Sequence, residues 1–176
     1  RPSRMPDGPN LPLYRRFTFG DLAEFNVLDT RQYRDDQVYT SEEADDPERT
    51  ILGDEQEDWL VEGLNSSTSQ WNVLANQVPV AATAENPNPD VQDFGGGDKW
   101  DGYRADRQTL LDTMAANDDL NPVVITGDVH RNYAYNLKAD FSNPDSETVG
   151  TEYVGTSISS FGDGSGITQY GPSLGE

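Results

Sequence analysis

The chain has no cysteine in 176 residues. That excludes disulfide staples, thiolate nucleophiles, zinc ribbons and thioredoxin-like sites within it. It has a single histidine, His130. A serine–histidine triad would have to use that residue, and no Gly-x-Ser-x-Gly elbow ties a serine to it. Bases are scarce: 12 Lys+Arg against 32 Asp+Glu give a formal net charge of −20. Nucleic acid and anionic membrane surfaces repel such a chain, so neither is an expected partner. No apolar run reaches the length of a membrane span. No Walker loop, dinucleotide glycine pattern or internal repeat is present. The "GDGSG" at 162–166 suggests a phosphate nest only superficially and reads as a turn.

What remains is a single domain with a modest core. The excess of acid fits a solvated surface or clustered carboxylates that bind cations, and the two are compatible. The chain starts at Arg1 and stops in the loop-like "GPSLGE". Both ends look cut, so a piece of a longer protein is expected. A monomer is expected too.

Periodicity predicts the layers. The stretch "FTFGDLAEFNVLDT" (17–30) reads as strand, "WNVLANQVPV" (71–80) and "PVVITGD" as buried strands, and "RNYAYNL" and "TEYVGTSIS" as two more. "LGDEQEDWLVEGLNSS" reads as a helix capped by Asp54, with Trp59, Leu60 and Leu64 on one face. "YRADRQTLLDTMAAN" (103–117) reads as a second, burying Leu110, Leu111 and Met114. The acidic stretch at 35–50 and the Pro-, Asn- and Gly-rich stretch at 82–102 read as loop insertions. Strands alternating with helices predict a layered α/β sheet, with ligands gathered where loops leave the strand ends.

Three strand ends carry polar chemistry. In "TGDVH", Asp128 and His130 are two apart and share a side if the chain is extended. A carboxylate beside an imidazole suits a transition metal next to a harder cation. The competing reading is a hydrogen-bonded structural histidine. In "LDTRQYR", Asp29, Arg31 and Tyr33 share a side in the same way. Arg31 and Arg34 could grip phosphate oxygens in charge-assisted bonds, or brace a loop against carboxylates. The amides of Asn76 and Gln77 could ligate a metal or satisfy backbone groups. "DKWDGYRADR" (98–107) could line a substrate entrance through Asp101, or cap a helix while Trp100 and Tyr103 pack in the core.

Taken in order, "FTFGDLAEFNVLDTRQYR", "RTILGDEQEDWLVEGL", "WNVLANQV", "DKWDGYRADRQTLL", "NPVVITGDVH" and "TEYVGTSISS" resemble the second half of the PhoD-like alkaline phosphatases. The resemblance implies a calcineurin-like metallophosphatase fold, an αββα sandwich of two mixed sheets with metals at the strand ends. Residues 1–176 would be the C-terminal part of that domain. The implied activity is hydrolysis of phosphate monoesters for phosphate scavenging, possible also on diesters, by a secreted or periplasmic enzyme. The implied cofactors are Fe(III) and Ca(II). Carried over, Asp128 would bind calcium and His130 iron. Asp29 would organise the site, Arg31 would contact phosphate, and Asp101 would stand at the entrance. The family's further iron ligands, a Cys, an Asp and a Tyr, belong to its first half, so this piece alone is expected to lack turnover. A different class of function fits the same composition: a non-catalytic, acidic calcium-binding domain.

Overall fold

The computed structural model describes residues 11–83 and 96–160. A six-stranded mixed sheet runs in the order β1-β2-β3-β4-β6-β5. Its strands are β1 (Arg15–Phe19), β2 (Ala23–Val27), β3 (Trp71–Ala75), β4 (Pro122–Thr126), β5 (Tyr133–Lys138) and β6 (Thr148–Val154). The helices are α1 (Ser41–Ala44), α2 (Asp54–Ser66) and α3 (Arg104–Ala115), with one 3₁₀ turn at Trp100–Gly102. The first ten residues, most of the 82–102 insertion and "GDGSG" lie outside the described residues.

Strands β2, β3, β4 and β6 are mutually parallel, while β1 and β5 pair antiparallel at the two edges. Helix α2 connects β2 to β3, and α3 connects β3 to β4. Both crossovers step the same way across the sheet, and crossovers keep one hand. They therefore lay α2 and α3 on the same face. All four parallel strands then end at the same edge, and their loops meet there.

The helix-covered face is built from alternate residues. One row runs Arg16–Asn26–Leu74–Val124–Glu152–Tyr135 across all six strands. Leu60 and Leu64 of α2 and Leu110, Leu111 and Met114 of α3 are buried over it. Each such leucine contributes about 1.5–3 kcal/mol by leaving water. Trp59 lies at the margin instead of in the core. Its ring packs on Tyr14 with centroids 5.0 Å apart, and Arg16 sits over it at 4.6 Å.

Glu152 sits on this face one strand in from the β5 edge and is fully buried. Its Oε1 accepts from Val80 N at 3.0 Å and Thr126 Oγ1 at 2.6 Å, and its Oε2 accepts from Ala81 N at 2.8 Å. One carboxylate thereby fastens the loop after β3 to β4 and β6. Burial pushes its pKa up, against those three donors.

Several local expectations are corrected. The stretch 17–30 is not one strand: Leu22 N bonds Phe19 O at 3.2 Å, a turn whose positive φ of 56° falls on Gly20. A glycine takes that conformation without strain, so β1 and β2 form a hairpin. Asp54 is not the cap of α2. Gly53 occupies that position, and Thr50 Oγ1 receives the amides of Gly53 (2.7 Å) and Leu52 (3.2 Å). The acidic stretch at 35–50 holds α1, closed by a capping box in which Thr40 and Glu43 exchange hydrogen bonds. Strand β3 stops at Ala75 and alternates, burying Asn72 and Leu74.

Among the described residues, no helix lies on the opposite face. There Phe17, Phe19, Trp71, Ile125 and Tyr153 are between 42 % and 61 % exposed. The layered α/β class is what the structure shows, and the described residues make one sheet with helices on one side. That is half of the αββα arrangement the resemblance implies.

Replacing Glu152 by Gln turns an acceptor oxygen into a donor facing a backbone N–H. We expect Glu152→Gln to lower unfolding stability by about 1–3 kcal/mol in urea titrations. Stability equal to wild type would show that the carboxylate is dispensable there.

Candidate active site

The loops leaving β2, β4 and the 3₁₀ turn's approach bring the polar chemistry together. After β2 the backbone turns at once, and Asp29 directs the turn. Its Oδ1 accepts from Arg31 N at 3.0 Å and Gln32 N at 3.1 Å, and its Oδ2 from the Gln32 amide. Two glutamines clamp the same turn from either side. Gln56 of α2 accepts from Asp29 N (2.8 Å) and donates to Asp29 O (2.9 Å). Gln77 accepts from Thr30 N (2.9 Å) and Thr30 Oγ1 (2.8 Å), and donates to Leu28 O (2.8 Å). Asp29 and Thr30 are buried, so the turn has one conformation in which to present Arg31.

Arg31 is the hub. Its guanidinium reaches Asp98 Oδ1 at 2.5 Å on one side and Asp128 Oδ1 at 3.6 Å on the other. Arg34 joins the same Asp98 oxygen at 2.7 Å, and Gln37 Nε2 donates to it at 2.6 Å. Burial alone would raise the Asp98 carboxyl, but the bonds from Arg31 and Arg34 outweigh it and hold the pKa below the ordinary range. The hydrogen bond to Asp98 also raises the pKa of Arg31. Asp98 reaches this position because Gly97 precedes it. A Cβ on Gly97 would collide with the backbone of Val38, so only glycine lets the two segments approach.

The segment after β4 is not extended, which corrects the i, i+2 argument for Asp128 and His130. It bends through residues 128–131, with Val129 N bonded to Gly127 O at 2.9 Å. Asp128 and His130 both carry positive φ, 72° and 56°. Non-glycine residues adopt that region at an energetic cost, and such strain concentrates at functional sites. Thr156, beyond β6, holds the bend by donating its hydroxyl to His130 O at 2.9 Å. Asn132 Oδ1 accepts from Thr156 N at 2.9 Å. Both Asp128 and His130 are exposed.

Asp101 is placed elsewhere. It is 3 % exposed, not at an entrance: its Oδ1 takes Arg107 at 2.5 Å, and its Oδ2 takes the amide and hydroxyl of Thr83. The carboxylate is spent on bracing α3 against the 79–83 loop. Trp100 and Tyr103 are fully buried in the core. Asn76 and Gln77 serve backbone groups: Asn76 Nδ2 donates to Val78 O at 2.5 Å. So the site collects Arg31 and Asp128, with His130 on the same bend and Asp29 beneath, and leaves Asp101 out. Asp98, Gln37 and Gln56 were missed, and the only sequence signal for Asp98 is an acid directly after a glycine run.

Among the described residues, no group of three or more Asp, Glu, His or Cys side chains is close enough to enclose a metal ion. Asp128 and His130 are two donors of suitable chemistry, a hard carboxylate and an imidazole, on an exposed strained bend. They fit a metal as part of a ligand set.

Because the folded pKa of Asp98 is depressed, its ion pairs contribute stability above the ordinary aspartate pKa, near 3.8. That contribution is lost as pH falls through the lower, folded value. We expect the Asp98 carboxyl carbon to titrate below 3.8 in NMR, and Arg31→Ala to move it upward. An unshifted titration in both proteins would refute the arrangement.

Comparison with known proteins fits these features to a family. The sequence profile of the PhoD-like phosphatases matches residues 1–173. Alkaline phosphatase D of Bacillus subtilis (strain 168) is 48 % identical over 170 residues, 93 % of this chain and 29 % of its own length. The solved structure of PhoD superposes with a TM-score of 0.80 at 46 % identity, covering 91 % of this chain and 31 % of that one. The chain thus spans less than a third of the length of these relatives. On the profile match and the identity together, the chain belongs to the PhoD-like phosphatase family.

Proposed function

We propose that this chain supplies the phosphate-gripping part of a metal-dependent phosphoric ester hydrolase, an alkaline phosphatase acting on phosphate monoesters. The carrying observation is Arg31, fixed by a clamped turn between Asp98 and Asp128 at the edge where the parallel strands end. Family membership and the 48 % identity to an alkaline phosphatase D support the reaction class.

Arg31 offers a planar fork of donors that matches two phosphoryl oxygens, and Arg34 adds a further charge beside it. Asp29 acts through Arg31: by holding the 29–32 turn it fixes where the guanidinium points. Asp128 and His130 would hold the metal, with calcium on the carboxylate and iron on the imidazole, and the remaining ligands coming from the rest of the protein. A bound metal supplies charge neutralisation and a lowered pKa for attacking water. As a ligand, His130 is not the general base. Phosphodiesters are a second substrate class for the same site. A secreted or periplasmic location follows from the family reading. No helix among the described residues is long and apolar enough to cross a membrane.

Residues 1–176 are read as the C-terminal part of one metallophosphatase domain. The exposed apolar face of the sheet, which no helix among the described residues covers, supports this, since such a face calls for a second layer. The non-catalytic calcium-binding alternative is disfavoured by how the described carboxylates are used. Asp29, Asp98, Asp101, Asp106 and Glu152 all accept hydrogen bonds or ion pairs from this chain's own groups.

In the full-length protein, we expect Arg31→Ala to lower kcat/KM for p-nitrophenyl phosphate by on the order of 100-fold. His130→Ala should lose bound metal and turnover together, read by elemental analysis and by rate. Metal content and turnover near wild type in His130→Ala would sink its role as a ligand.

A further inference from the structure

A cavity of about 210 Å³ opens on the helix side of the strand ends, between the loop after β3 and the start of β5. Thr83, Lys99, Val129, Arg131, Tyr133 and Tyr135 line it. We propose that it is the leaving-group subsite of the hydrolase, shaped for an ester whose alcohol side is a single flat ring carrying its own negative charge. This rests on the phosphatase reading and says which esters the enzyme prefers.

Position comes first. Val129 lies between Asp128 and His130, and Arg131 follows His130, so one wall of the cavity is the back of the strained bend. Lys99 follows Asp98, whose carboxylate holds Arg31 and Arg34. The short segment 98–99 therefore serves two places: one residue touches the phosphate-gripping arginines and the next enters the cavity. A phosphoryl group at Arg31 and Asp128 would have its alcohol side within reach of this space.

Charge points to the ligand. The chain has 32 Asp+Glu against 12 Lys+Arg, so a cluster drawn at random would be acidic by more than two to one. Yet no described carboxylate lines this cavity, while Lys99 and Arg131 both do. The Lys99 ammonium donates to Thr83 Oγ1 at 2.7 Å and makes no ion pair among the described residues. Arg104 and Arg107, by contrast, are each paired with an aspartate. The Thr83 hydroxyl in turn donates to Asp101 Oδ2 at 2.7 Å, so Lys99 meets a carboxylate only through that hydroxyl, and a cation with no direct acidic partner among the described residues is placed to meet an anion from outside.

Shape and size set the rest. Tyr133 and Tyr135, alternate residues of β5, stack with ring centroids 5.3 Å apart and planes inclined by 22°. They give the cavity an aromatic wall, and Arg131 reaches the Tyr133 hydroxyl at 3.3 Å. Such a wall favours a flat ring. A cavity of roughly 150 Å³ holds benzene, so this one has room for one ring with a small charged substituent.

The test uses the full-length enzyme with phenyl phosphate and 4-carboxyphenyl phosphate as paired substrates. In wild type, kcat/KM should favour the carboxylated ester, and in Lys99→Met that preference should fall by about tenfold. Lys99→Arg should restore most of it. Comparing the ratio between variants cancels the difference in leaving-group chemistry and any general loss of folding. Separately, 4-hydroxybenzoate binding is followed by intrinsic fluorescence, with phenol as the reference. It should bind wild type more tightly than phenol does, and lose that advantage in Lys99→Met. An unchanged ester ratio in Lys99→Met, or equal binding of the two phenols, overturns the subsite. Selective 4-hydroxybenzoate binding with no turnover of either ester would instead overturn the phosphatase reading and leave the anion-and-ring site standing.

Discussion

The Glu152 carboxylate is the fastening on which the strand-end geometry depends. It is fully buried on the helix-covered face, where an ionisable group is expensive to bury without partners. Three donors surround it, two of them backbone amides from the loop after β3 and one the hydroxyl of Thr126 at the end of β4. Val80 and Ala81, fixed in this way, are followed by the stretch leading to Thr83, which meets Asp101 and Lys99. Thr126 is followed by the bend that carries Asp128 and His130. A single buried acid thus ties two loops of the site to β6.

The same device recurs. Asp106 of α3 accepts from Ile51 N, Leu52 N and Thr50 Oγ1, and so sets the start of α2. Burial raises its pKa while these donors lower it. Asp29 does the same for the turn after β2. A chain without cysteine cannot staple its loops covalently. Here buried carboxylates do the stapling, each gathering several N–H or O–H groups that would otherwise lack partners. The acidity of the composition therefore has two components: a solvated surface, and a set of interior acids that organise loops.

How much of this was legible in sequence depends on the range of the forces involved. Helices α2 and α3 and the parallel strands follow from local periodicity, so Leu60, Leu64, Leu110, Leu111 and Met114 were identified as core. The Gly20 turn was missed because apolar residues flank it on both sides. Thr50, not Asp54, serves the start of α2, because Gly53 fills the cap position and a residue further back supplies the oxygen. For the site, "TGDVH" and "LDTRQYR" could be singled out because each packs its polar residues into a few positions after a strand. Gln56 and Asp98 could not. They act across 27 and 67 residues of chain, and nothing local distinguishes a clamping glutamine from a solvated one. Asp101 shows the converse difficulty: a cluster of acid, aromatic and base reads as an entrance in sequence, and the structure buries that acid in an ion pair with Arg107.

The distribution of bases follows from the same scarcity. With so few of them, an arginine on the surface would be surrounded by acids and neutralised by whichever came near. Arg31 is paired with acids too, but which acids it meets is fixed, because its backbone is clamped by Asp29, Gln56 and Gln77 before its side chain is considered. Its two carboxylate contacts are then unequal: Asp98 is close at 2.5 Å, Asp128 looser at 3.6 Å. An incoming phosphoryl group, itself an anion with several acceptor oxygens, can take over such partly exposed contacts without leaving a buried charge unpaired. A guanidinium locked into a fully buried pair, as Arg107 is with Asp101, could not be recruited without exposing its partner to a large desolvation penalty. Arg107 and Arg31 therefore mark two uses of charge in this fold. The buried one braces the scaffold, and on the proposed function the half-exposed one exchanges with the ligand.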